Sequence, residues 1–515
     1  MHRRSLLALA AAPLAAPAFA QAARPLRFVP IGDLPTIDPI VTTTYMVRTH
    51  GFLVWDTLYG LDRGWQPRPQ MAEGHRVEED GRRVAITLRG GLRFHDGTPV
   101  LARDAVASIR RWGARDALGQ TLLARTAELS APDDRTVLFR LHRPFPLLFD
   151  ALAKTSPPAC FIMPERLAAT APTVPVREAI GSGPYRYLAA ERVPGARLAY
   201  QRFEGYVPRD EPAAVTSGGK RALIERIEWH ILPDPATAAA ALQSNEVDWW
   251  EWPTPDLVPL LRRQRGIAVS IADPMGNLAA LRLNHLHPPF DDPAARRALL
   301  PAVAQADFMA AVAGADPAMW RGDVGVFPPD TPAASSAGLE PLGGPRHLTQ
   351  AGGTPLTLIG PSDYPNVQAL TDVTADLFRR LGYALDYRPS DWSTVVTRRA
   401  NRAAPAQGGW NALCTFFSGL DFLNPAVHLL LRANGTAAWP GWPSSPGLEA
   451  LRDAWIDAPD QASRATLTTE IQVLAMQELP YLPLGQFFQP TACRRTLTGM
   501  LEGPTLFWNL HLATG

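Results

Sequence analysis

Apolar and polar residues alternate from Arg83 to Arg89, with Val84, Ile86 and Leu88 on one face and Arg83, Thr87 and Arg89 on the other. That pattern predicts a half-buried strand, and Asp80-Gly81 just before it supplies the corner of a hairpin. A second corner, His95-Asp96-Gly97-Thr98-Pro99, precedes Ala102, Val106 and Ile109 at helical spacing. RLAYQRF and IERIEWHIL read as further strands, and Asp234-Pro235 opens an alanine-rich helix that ends near Asn245. Asp at the N-cap, Pro in the first turn and Asn in the left-handed terminal position are ordinary helix-end signals. Val247-Asp248 then begins a new strand. PLTLIG, a helical run from Asn366 to Leu381, and YALDYRP form a strand-helix-strand unit, which points to a parallel α/β sheet. Asp292-Pro293 opens a helix over AARRALL that Pro301 interrupts, since an interior proline removes a backbone hydrogen bond. Residues 328–354, rich in Pro, Gly, Ala and Ser, read as an irregular connector.

At 515 residues the chain exceeds what one core usually holds, so two lobes or more are expected. Asp273-Pro274-Met275-Gly276-Asn277 is a turn-rich break between GIAVSIA and LAALRLN and the best candidate for a first crossing between lobes. The N-terminus changes the picture more than the composition does. MHRRSLLALAAAPLAAPAFA has a basic start, an apolar run without acids and Ala18-Phe19-Ala20 as a cleavage site, so residues 1–20 read as a signal peptide. Arg3-Arg4 leaves Sec and twin-arginine export both open. The apolar run from Leu6 to Phe19 is shorter than the roughly 20 residues that span a bilayer, and no later segment is long and apolar enough, so a soluble mature protein is expected. No cysteine follows the cleavage site to carry a lipid.

Without residues 1–20 the charge becomes 48 basic against 49 acidic groups, which implies neither nucleic acid nor a membrane surface as partner. Cys160, Cys414 and Cys493 lie far apart with no C-x-x-C, so neither a zinc site nor a disulfide framework is signalled, although one incidental disulfide stays open. His285 and His287 share a strand face but have no third ligand nearby, and no metal or cofactor is expected.

LRGGLRFHDGTPVLARDAVASIRR closely resembles the signature of the family 5 extracellular solute-binding proteins, which serve peptide, nickel and related ABC importers. Thr36-Ile37-Asp38-Pro39, Gly181-Ser182-Gly183-Pro184-Tyr185, Ala241 to Asp248, Pro288 to Asp292 through Arg297-Ala298, and Leu479-Pro480-Tyr481-Leu482-Pro483-Leu484 follow as further landmarks, in the family's order. The resemblance implies a two-lobed periplasmic binding protein of the α/β class, with an extra subdomain in the first lobe and a two-segment hinge. It divides the chain into lobe I over residues 21–272, with the subdomain at about 65–180, lobe II over 273–488, and a return to lobe I over 489–515. It implies a monomeric periplasmic receptor that captures a peptide or other amine-bearing solute and delivers it to an ABC-type permease.

The resemblance also locates a ligand site. Asp421, four residues before Pro425, matches the acidic motif that grips a ligand's α-amino group in peptide-binding members. On a strand, Phe417, Gly419 and Asp421 would share a face, with Gly419 admitting a second backbone for strand addition. The alternative is that Asp421 caps a turn or the helix expected near Asn424. Trp392 and Arg399 match a segment that lines side-chain pockets, with core packing and a solvated helix charge as the competing readings. Trp410, Tyr45 and Trp508 are further aromatic candidates by position. Ser418 and Thr415 depart from the tryptophan and arginine that peptide binders tend to carry, so the solute stays open.

None of G-x-S-x-G, H-E-x-x-H or G-x-x-x-x-G-K-[ST] occurs, which favours a receptor over an enzyme. A two-lobed receptor needs no chemistry of its own: ligand favours the closed state by its differential affinity. A sensor or scavenging protein of the same fold and a secreted hydrolase are the alternatives.

Overall fold

Leu26–Val29 is a short strand whose core positions are fully buried because it is central and parallel to both neighbours, His230-side strand Arg226–His230 and Trp249–Trp250. It anchors a seven-stranded mixed sheet ordered Tyr185–Tyr187, Arg197–Arg202, Arg226–His230, Leu26–Val29, Trp249–Trp250, Pro490–Arg494, Ile267–Ile271. The computed structural model describes residues 24–344 and 350–513. The expected signal peptide lies outside the described residues.

A second, six-stranded sheet runs Trp320–Arg321, Leu482–Phe487, Asn277–Leu283, Ala412–Ser418, Pro355–Pro361, Ala384–Ser390. Pro355–Pro361 and Ala384–Ser390 are parallel in register across seven pairs, with helix Pro365–Arg380 between them in sequence. The molecule is therefore a two-lobed α/β protein, one sheet per lobe. The chain leaves the first sheet after Ile271 and enters the second at Asn277; it leaves the second at Phe487 and rejoins the first at Pro490.

Ala72–Glu78 and Arg83–Leu88 form the hairpin, with Asp80 and Gly81 at φ of 52° and 85° in its corner. Thr136–Leu141 and Thr126–Ser130 complete a four-stranded antiparallel sheet, which with helix Ala102–Gly113 forms a subdomain on the first-lobe side. The signature stretch is scaffold in the literal sense. Arg111 of that helix makes a bidentate, fully buried pair with Asp38 at 3.2 and 2.7 Å. His95 receives Gly181 and Gly183 as backbone partners, and a Cβ at Gly183 would sit 2.7 Å from the carbonyl carbon of Val54. Three landmark motifs are thus welded to one another by hydrogen bonds and close backbone approach.

Asp234 caps helix Pro235–Gln243 by accepting from Thr237 N at 2.7 Å, and Asn245 takes φ 67°. Pro293–Arg297 is a short helix followed by a single turn at Leu300–Ala302, as the interior proline requires. Cys160, Cys414 and Cys493 are buried and free.

Candidate functional site: the cleft between the lobes

Strand Ala412–Ser418 pairs along its whole length with Asn277–Leu283, but on its other edge Pro355–Pro361 meets only Ala412 and Leu413. From Cys414 to Ser418 that edge faces no strand among the described residues. The strand ends at Ser418, whose hydroxyl accepts from Leu420 N at 3.3 Å and starts a tight turn over Gly419–Phe422. The expectation that Phe417, Gly419 and Asp421 share a strand face is thereby corrected: Asp421 is presented by the turn. Gly419 does admit a close backbone, but the chain's own. Its N–H donates to Gly276 O, and a Cβ there would lie 2.4 Å from Met275 O.

Asp421 does not cap the following segment, because Asn424 does so through Ala426 N and Val427 N. Its Oδ2 accepts from the Tyr45 hydroxyl at 2.7 Å, and Tyr45 Oη in turn accepts from Ser418 N. Tyr45 opens helix Tyr45–Val54 of the first lobe, so this pair of bonds closes the cleft from the opposite side. Asp421 Oδ1 is buried without a partner among the described residues. Burial raises the carboxyl above the usual carboxylate range, with Arg48 and the Tyr45 bond pulling the other way.

Asp421 and Phe417 line a cavity of about 560 Å³. Arg399, at the end of helix Trp392–Arg398, lines it too. Arg399 is 9% exposed, has no acidic partner among the described residues, and stacks over Trp392 and Trp439 at 5.7 and 5.0 Å. Burial lowers its pKa to about 10. Trp392 and Tyr45 line a small side pocket of about 40 Å³ with Thr415 and Tyr364.

Two tryptophans lie elsewhere. Trp410 is completely buried behind the wall, donating its N–H to Arg399 O at 3.0 Å and packing on Trp442. Trp508 belongs to the first-lobe core, with Lys220 Nζ 4.7 Å above its ring. Both corrections have one cause: a tryptophan can bury most area in a core.

Sequence reasoning missed the first-lobe wall. Lys154 Nζ donates to Ser156 O and Ser156 Oγ at 2.8 and 3.0 Å and forms an ion pair with Asp116 Oδ2 at 2.8 Å. Asp116 Oδ1 caps helix Ala117–Ala124 through Gly119 N. A usable signal existed: Lys154 and Lys220 are the chain's only lysines, and each is buried against an aspartate. At the back of the cleft, Asp273 in the first connection accepts from Met275 N and Ser418 Oγ. Farther out, Asp457 of the second lobe binds Arg125 and Arg143 of the first, at 2.5 and 2.8 Å.

Residues 66–427 match the model of the bacterial extracellular solute-binding proteins, family 5 Middle. The chain belongs to the family 5 bacterial extracellular solute-binding proteins. Family 5 proteins are periplasmic binding proteins of ABC importers, with a solute and a permease as partners. Across 93% of its length this family 5 chain is 36% identical to a probable peptide ABC transporter periplasmic-binding protein of Sinorhizobium fredii, covering 92% of that protein. It is 25% identical, over 91% of the chain and 90% of the relative, to a glutathione-binding protein of Salmonella typhi. Solved structures share the fold. A dipeptide-binding protein from Pseudoalteromonas in complex with Met-Leu superposes with a TM-score of 0.80 at 18% identity, covering 95% of this chain and all of that one. The binding protein AgaA of A. tumefaciens in complex with agropinic acid matches equally well at 0.80 and 18%, covering 96% and 99%.

Proposed function

We propose that this protein captures a short peptide or similar amine-bearing solute in the 560 Å³ cavity, with Asp421 as the counter-charge for its amine. One observation carries the reading: Asp421 Oδ1, in the cavity wall, is buried and has no hydrogen-bond partner among the described residues. A buried carboxylate without a counter-ion is costly, and an ammonium supplied by the ligand offsets that cost. The open edge from Cys414 to Ser418 supports an extended ligand backbone, and Arg399 supplies a cation for its carboxylate. The relatives named for a peptide and for glutathione, and the neighbour holding Met-Leu, bind molecules of this kind. Closure around the ligand presents both lobes to the permease, and export through the signal segment and a monomeric state complete the reading.

The test is Asp421→Asn, which keeps shape and the Tyr45 bond but removes the charge. Calorimetry with dipeptides should show affinity falling about a hundredfold, since breaking a buried charge pair costs about 2–5 kcal/mol. The ligand-free unfolding midpoint should stay level or rise. Unchanged affinity removes Asp421 from the site.

A further inference from the structure

The charges around the main cavity do not balance. On the first-lobe side Lys154 is neutralised by Asp116, and on the second Arg432 lies 3.4 Å from Glu449. Of the remaining charged lining residues, Arg115, Arg399 and Arg402 have no acidic partner among the described residues, whereas Asp421 is an acid that forms no ion pair there. Three cations face one anion. A zwitterionic dipeptide would use Asp421 and one arginine and leave two guanidinium groups over.

The placement of those two is informative. Arg115 follows helix Ala102–Gly113 on the first-lobe side, and Arg402 follows helix Trp392–Arg398 on the second; both are exposed, and both line the same cavity. Arg402 is held in place by a bond to Thr436 O and by the Trp442 ring 5.7 Å away. Closing the lobes brings like charges toward one cavity, which opposes closure unless an anion enters with the ligand.

We propose, resting on the amine-solute reading above, that the preferred solutes are small α-amino compounds with at least two acidic groups, such as short peptides containing glutamate or aspartate. Asp421 takes the amine and buried Arg399 takes one carboxylate. Arg115 and Arg402 hold the second from opposite lobes, so the extra acid couples recognition to closure. A volume of about 560 Å³ suits a ligand of a few residues rather than a long chain.

The isosteric pair Ala-Glu and Ala-Gln isolates the extra charge. Calorimetry on the mature protein at low salt should give at least tenfold tighter binding for Ala-Glu, with the gap narrowing in 0.5 M NaCl. The double variant Arg115→Gln, Arg402→Gln should bring the two ligands within threefold of each other while Ala-Gln affinity changes less than threefold. Equal or tighter binding of Ala-Gln to the native chain overturns the acidic preference and leaves the amine reading intact. Loss of both ligands alike in the double variant overturns the assignment of the two arginines. If neither dipeptide binds the native chain, this proposal and the peptide reading fall together.

Discussion

On the first-lobe wall of the cavity, the Lys154 ammonium pairs with Asp116 and donates twice to Ser156, and Asp116 spends its second oxygen on a helix N-terminus. On the second-lobe wall, among the described residues, Arg399 has only the faces of Trp392 and Trp439, and Asp421 keeps one oxygen unbonded. Burial is similar on both sides, since all four residues are less than 10% exposed. The difference is where the partner comes from. A charge satisfied within its own lobe contributes to folding and is indifferent to ligand; a charge left unpaired costs stability until a ligand completes it. Among the buried charges, the asymmetry assigns support to the first-lobe wall and recognition to the second.

The strongest way to break this contrast is to exchange the effects. Lys154→Met leaves the buried Asp116 carboxylate without its cation and should destabilise the protein by about 3–5 kcal/mol. Denaturant unfolding would report it as a lowered midpoint. Arg399→Met removes an unpaired buried cation, so stability should stay within about 1 kcal/mol while affinity for a carboxylate-bearing ligand drops. Stability loss from Arg399→Met equal to that from Lys154→Met would erase the distinction.

Asp273 extends the comparison to the back of the cleft. Burial raises its pKa to about 6, moderated by Met275 N, by Arg48 and by Ser418, with Asp421 pushing further up. A carboxyl whose folded value lies above its unfolded value contributes stability that is complete below about pH 4 and lost as pH rises through about 6. From this group alone stability falls by roughly 2–3 kcal/mol between those limits. Asp273→Asn should flatten that part of the stability profile, measured as the difference between variant and parent at pH 4, 5, 6 and 7. An unchanged slope would mean that Asp273 does not set this part of the profile.

Much of this was legible in the sequence where local chemistry decides the outcome. The alternation around Ile86, the cap at Asp234 and the parallel unit from Pro355 to Ser390 follow from neighbours within a few residues. Asp421, Trp392 and Arg399 follow from motif matches, Phe417 from strand alternation and Tyr45 from loop position, and all five line the cavities of the cleft. The strand pattern over Phe417 to Asp421 misled because Ser418 caps a turn only when Gly276 arrives from the connecting segment to bond Gly419 N. Trp410 and Trp508 misled because position in a loop does not say which side of the wall an indole occupies. The Lys154 and Asp116 pair joins residues 38 positions apart, and beyond the scarcity of lysine nothing in the sequence announces it.

Tyr45 gives the smallest and most discriminating effect, because it joins the walls. Its hydroxyl donates to Asp421 Oδ2 and accepts from Ser418 N, so it stabilises the closed arrangement without neutralising the carboxylate. Tyr45→Phe deletes both bonds and leaves the ring in contact with Phe416, at a cost of about 1 kcal/mol to closure. Affinity should fall about fivefold, and small-angle scattering of the ligand-free protein should show a larger radius of gyration. A tighter complex would carry the opposite meaning: the phenol would be competing with the ligand's amine for Asp421.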